Sequence, residues 1–172
     1  LELIKWDFIH ADQDFMDGLR KVKKKLGILL IFDAVKTWFR LILGGAQQIY
    51  DIKPDITALG KVVGGGFPFG IVGGKKEIMN VSAPSAYSDV FDSSQSKYSS
   101  AQDVLFHSGT YNGHPTILAA GLETIAVLEQ EIENVFETTE RLKTGICELF
   151  VAKGINARTI GMGSIFNVVI TE

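Results

Sequence analysis

Ile28-Leu29-Leu30-Ile31-Phe32 is apolar at every position and ends in Asp33. A strand with one wet face alternates apolar and polar residues. An unbroken apolar run is the pattern of a central strand covered on both faces, as in the parallel sheet of an α/β protein. Ligands of open α/β sheets bind at the carboxyl ends of strands. Asp33 is therefore a candidate site residue, with an N-cap or turn role as the plainer alternative.

The flanking segments fit that class. Phe15, Leu19, Val22 and Leu26 share one helical face, Asp12-Gln13-Asp14 offers an N-cap, and Gly27 stands where a helix ends. A short helix is expected near Ala46–Tyr50, and Lys53-Pro54-Asp55 reads as a turn. Ile56, Ala58 and Leu59 read as a buried strand ending at Gly60, Ile71-Val72 as another short strand, and Lys75–Met79 as a helical turn. Further on, Ile117, Leu118, Gly121, Leu122, Ile125 and Leu128 mark an amphipathic helix whose apolar stripe is expected to be core. A second helix is expected over roughly Ile132–Lys153, then strands over Ile155–Ile160 and Ser164–Ile170. The expected division is 1–130 as a large domain, with 131–172 as a connecting helix and the start of a small α+β domain. Leu3, Ile4, Trp6, Phe8 and Ile9 allow one more strand, and the serine-rich stretch 82–103 reads as a long loop or lid.

Composition removes several function classes. With 172 residues, 46% hydrophobic and 22% charged, the chain is long enough for a real core and is not of disordered composition. A net charge of −3 leaves no electrostatic footprint for nucleic acid, and Lys21-Val22-Lys23-Lys24-Lys25 reads as a solvated helix face. No apolar run approaches membrane-span length. The one cysteine, Cys147, offers no disulfide framework and fits a reducing, cytoplasmic compartment. His10, His107 and His114 have no metal-ligand spacing with Cys147, so no metal is expected. Neither a complete dinucleotide fingerprint nor a Gly-x-Ser-x-Gly motif occurs. The first residue is Leu1 and the last ones directly follow a strand-like run, so a piece of a longer protein is expected.

The chemistry converges on Asp55–Gly74. Lys61 follows the strand that ends at Gly60 and precedes Gly64-Gly65-Gly66 and the Phe67-Pro68-Phe69-Gly70 turn. A lone lysine among small and apolar residues is the setting for a depressed pKa and a nucleophilic amine. A surface lysine at the start of a glycine-rich loop fits the same spacing. Pyridoxal phosphate requires a lysine for its Schiff base, a carboxylate facing its ring nitrogen, and hydroxyl or backbone N–H donors for its phosphate. Lys61, Asp33 and the Gly109-Thr110 loop are candidates for these parts.

Several ordered stretches resemble class III (fold-type I) pyridoxal-phosphate aminotransferases, and within that family most resemble glutamate-1-semialdehyde 2,1-aminomutase. They are LLIFDAVKTWFR at 29–40, GGAQ at 44–47, PDITALGKVVGGGFPFGIVGGKKEIM at 54–79 and GTYNGHP at 109–115. Asp33 and Lys61 also stand at the family's interval. The resemblance implies an α/β fold-type I large domain and amino-group transfer on an amino acid or amino-aldehyde substrate. It implies that Lys61 carries the cofactor and moves the substrate proton, and that Asp33 faces the ring nitrogen. Val35 would pack under the ring. Thr110 would bind the phosphate of the partner subunit's cofactor, which implies a homodimer with shared active sites.

The departures are specific. Ala34 stands where the family usually has Glu, Lys36 where it tends to have Met or Gln, and Trp38 where it has Gly. Trp38 is expected to crowd the cofactor pocket or to force another loop path. The family's main phosphate cradle and ring-stacking aromatic have no match in these residues, nor is a substrate-carboxylate arginine identifiable. A truncated or divergent non-catalytic relative that keeps the fold is the alternative reading.

Overall fold

The computed structural model of the chain describes residues 11–80 and 109–171. The strand expected in the first residues, the serine-rich stretch 82–103, His10 and His107 lie outside these.

Helix α1 (Gln13–Leu26) starts and stops where local chemistry says it must. Asp12 is extended, and its Oδ1 accepts the Phe15 backbone N–H at 2.7 Å. Gly27 closes the other end at φ 65°, donating its N–H to the Lys23 carbonyl, with Lys23, Lys24 and Lys25 against the negative end of the helix dipole. The packed face is not the expected one. Met16 is fully buried with Leu19 partly buried beside it, whereas Phe15, Val22 and Leu26 are exposed.

Strand β1 (Ile31–Asp33) pairs in parallel with β2 (Ile56–Gly60), and β2 pairs antiparallel with β3 (Gly70–Gly74), in the order β1-β2-β3. The register sets Asp33 opposite Ala58 and Gly60 opposite Gly70. The expected run from Ile28 is strand only over its last part, and Ile28, Leu29 and Ile31 are exposed while Leu30 and Phe32 are buried. Helix α2 (Gly45–Ile49) lies between β1 and β2, and α3 (Lys76–Met79) follows β3. The main core gathers Met16, Leu30, Phe32, Leu41, Tyr50 and Ile52. Burying a side chain such as Phe32 contributes about 2–3 kcal/mol.

A single helix, α4 (Pro115–Ala152), replaces the two helices expected after Pro115. Its 38 residues extend about 57 Å. Pro115 sits in its first turn, where a missing N–H costs nothing. The junction Glu129-Gln130-Glu131 holds good helix formers and no breaker, so propensity carries the helix through. Its apolar stripe is only partly core: Ile117, Gly121 and Ile132 are buried, but Leu118, Leu122 and Val127 are exposed.

The chain closes in a hairpin of β4 (Ala157–Met162) and β5 (Ile165–Ile170), paired antiparallel as a separate two-stranded sheet. Its tight turn carries Gly163 at φ 56°, and a Cβ there would run into the Arg40 carbonyl. The Ser164 N–H donates to that same carbonyl at 2.7 Å, and Met162 and Ile165 pack on the main core.

Candidate active site

Parallel pairing brings two of the sequence-derived candidates to one end of the sheet. Asp33 is the last residue of β1, and Lys61 directly follows the last residue of β2. The strands stay locked to their ends, because the Ala34 N–H donates to the Ala58 carbonyl at 2.9 Å. Asp33 Oδ1 accepts the Val35 N–H at 3.2 Å, which turns the chain and restrains the carboxylate. A Cβ built on Gly60 would lie 3.1 Å from Val35 Cγ1, so Val35 rests against the residue immediately before Lys61. Asp33, Val35 and Lys61 therefore share one corner.

Lys61 opens a short 3-10 helix, Lys61–Gly64, and has φ 53°. A left-handed backbone costs an L-residue with a Cβ roughly 1–2 kcal/mol. Such strain persists where surrounding structure imposes it. Here the surroundings are helix α4 on one side and the Val35 loop on the other. Lys61 is exposed, so the expected enclosure among apolar side chains is not met.

Thr110 sits in an exposed turn, 109–114, before α4, and among the described residues no hydrogen bond joins it to Asp33 or Lys61. The departures at 34 and 38 have structural correlates. Ala34 is buried at the start of the loop, and its carbonyl accepts the Trp38 N–H at 3.1 Å. Trp38 packs on the Gly44-Gly45 turn, where a Cβ on Gly45 would lie 2.7 Å from its Cε3, and meets Phe39 edge-on at 6.3 Å. The loop bends there, with Phe39 at φ 63° and Gly45 also at φ 63°.

The dominant electrostatic cluster sits at the opposite, amino end of the strands. Asp55 is buried and accepts three donors: the Leu30 N–H at 2.7 Å, Lys23 Nζ at 2.7 Å and Lys75 Nζ at 2.8 Å. Burial alone raises a carboxyl pKa, but the Leu30 N–H and the two ammonium groups outweigh it and hold Asp55 well below the usual carboxylate range. The same hydrogen bond and charge push Lys75 up. Read from sequence as a plain turn residue, Asp55 instead ties α1, β1 and β3 to the start of β2. Its signal was an aspartate just before an apolar strand, half-buried in the structure, in a chain with a lysine-rich helix. An open cleft of about 470 Å³ lined by Arg20, Lys23, Lys53 and Lys75 lies at this end, away from Lys61.

A family model for class-III aminotransferases matches residues 7–169. The chain belongs to the class-III aminotransferases. A curated relative, glutamate-1-semialdehyde 2,1-aminomutase of Archaeoglobus fulgidus, is 40% identical over 160 residues, covering 92% of this chain and 34% of the relative. An omega-transaminase structure from Sphaerobacter thermophilus superimposes with TM-score 0.75 at 32% identity, covering 96% of this chain and 35% of that one. A transaminase structure with pyridoxal phosphate bound gives TM-score 0.78 at 28% identity, covering 99% of this chain and 38% of that one. This class-III chain thus has the α/β fold-type I architecture of the transaminases, and it spans about a third of the length of the relatives it matches. Among its described residues, no helix is long and apolar enough to cross a membrane.

The corner at Lys61 suits pyridoxal phosphate on its own chemistry. It offers an open amine for an aldehyde, a restrained carboxylate for a ring nitrogen, and a branched aliphatic side chain for a ring face.

Proposed function

We propose that this chain is the lysine-bearing part of a pyridoxal-phosphate-dependent enzyme of amino-group transfer, most like glutamate-1-semialdehyde aminomutase, acting through a Schiff base on Lys61. The observation that carries the reading is the placement of Asp33 and Lys61 at the carboxyl ends of adjacent parallel strands. The left-handed backbone at Lys61 adds to it, because strain of this kind collects at functional positions.

Pyridoxal phosphate, when bound, supplies a sink for the electron pair left at the substrate α-carbon. With the cofactor bound, the Lys61 amine would hold its aldehyde, and the same amine, when free, would carry the proton away from the substrate Cα. Asp33 keeps the ring nitrogen protonated by placing a negative charge beside it. Val35 supplies an apolar surface under the ring. Thr110, in its exposed turn, donates its hydroxyl to the cofactor phosphate held by a second copy, which makes the protein a homodimer with shared sites.

The substrate is an amino acid or an amino-aldehyde. Residues 1–130 act as the cofactor-binding large domain, and residues 131–172 lead into the small one. The compartment is cytoplasmic, in keeping with a lone unpaired cysteine.

Absorbance with added pyridoxal phosphate tests this directly. The chain develops a visible band, and Lys61→Ala does not. A chain that stays folded and colourless leaves the non-catalytic relative as the better reading.

A further inference from the structure

We infer that Gly121 on α4 is a positioning residue for Lys61, acting through the 3-10 turn that Lys61 opens. The inference rests on Lys61 being the cofactor-bearing lysine.

Helix α4 and the Lys61–Gly64 turn meet backbone to backbone. Gly121 is buried against the turn, and a Cβ built on it would lie 2.9 Å from the Val63 carbonyl oxygen and 3.3 Å from Phe69 Cε1. Val63 itself is fully buried. The contact is reciprocal. Gly65, at φ 57°, faces the helix so closely that a Cβ there would lie 3.0 Å from the Ala120 carbonyl and would run into Thr124 Oγ1. That hydroxyl is not free to swing away, because it donates to the Ala120 carbonyl at 2.7 Å. One glycine from each element thus permits the approach.

The turn is gripped on its other side as well, where Gly60 rests against Val35 of the Asp33 loop. Lys61 stands between these two contacts and holds its left-handed conformation there. A methyl at 121 cannot be accommodated by rotating a side chain, since its nearest neighbour is a main-chain oxygen. The turn must move off the helix, and the Lys61 amine moves with it relative to Asp33. Gly145 is the internal control: it lies on the same helix, and a Cβ there meets nothing within 4 Å.

The test compares the parent chain with Gly121→Ala, Gly145→Ala and Gly121→Ala/Phe69→Leu. Each is incubated with pyridoxal phosphate, reduced with borohydride and peptide-mapped, and the adduct on Lys61 is scored against that on exposed Lys76 of α3. Lys76 is exposed in the folded chain whereas Lys61 needs the folded corner for its preference, so the ratio is compared at matched folded fraction, fixed for each chain by its urea unfolding curve. The Lys61-to-Lys76 ratio should fall by about tenfold or more in Gly121→Ala, and stay within about twofold in Gly145→Ala. Gly121→Ala/Phe69→Leu relieves the ring contact but not the carbonyl contact, so its ratio stays low; it also serves if the single variant does not fold. An unchanged ratio in a folded Gly121→Ala chain, or recovery in the double variant, overturns the inference while leaving Lys61 as the cofactor lysine. A parent chain with no preference for Lys61 overturns that reading first, and the inference falls with it.

Discussion

The Asp55 carboxylate accepts the Leu30 backbone N–H at 2.7 Å, tying the start of β2 to the approach to β1 from within the core. Two ammonium groups, Lys23 and Lys75, complete its coordination. Removing the charge leaves both lysines without their anion and weakens the bond to Leu30. Asp55→Asn should therefore destabilise the fold by about 2–4 kcal/mol, read from urea unfolding at neutral pH.

The same carboxylate sets an acid limit. Its folded pKa lies below its unfolded value, so its contribution is fully present above the unfolded pKa of about 4. It is lost as pH falls through the folded value. Lys75 is shifted the other way, so its share is present below the unfolded lysine pKa and is lost as pH rises through the folded one. Unfolding midpoints should stay level across neutral pH and fall below about pH 4 in the parent chain. In Asp55→Asn the acid limb should flatten.

Lys61 at φ 53° sets stability against function. Lys61→Gly removes the left-handed penalty, partly offset by the greater freedom of glycine in the unfolded chain. It should stabilise by about 0.5–1 kcal/mol relative to Lys61→Ala, which keeps a Cβ in the same conformation. Both remove the amine. Equal urea midpoints for the two variants would show that the surroundings do not impose the strained backbone.

Gly145 in the interior of α4 has open space where a Cβ would stand. Gly145→Ala should stabilise the chain by about 0.5–1 kcal/mol, seen as a raised melting temperature.

What could be read from the residues alone was the chemistry each segment carries within itself. Asp12 and Gly27 bound α1 because capping is local, and Gly60 ends β2 where the apolar run stops. The corner of Asp33, Val35 and Lys61 followed from strand ends plus the resemblance at 29–40 and 54–79. What escaped depends on partners distant in sequence. Leu122 and Phe15 sit in good apolar stripes yet face solvent, because the packed face of a helix is chosen by what it meets. Asp55 gained its role only when α1 and β3 brought Lys23 and Lys75 to it. The left-handed Lys61 had no signal in its residue type, since that conformation is imposed by the turn and its neighbours. The continuous α4 was legible in hindsight: no breaker separates its two halves.

The most direct test of the account is the site of the borohydride-trapped pyridoxal-phosphate adduct. The adduct is expected on Lys61, with the visible band disappearing in Lys61→Ala. An adduct spread evenly over the exposed lysines, in a chain that is folded, would contradict it.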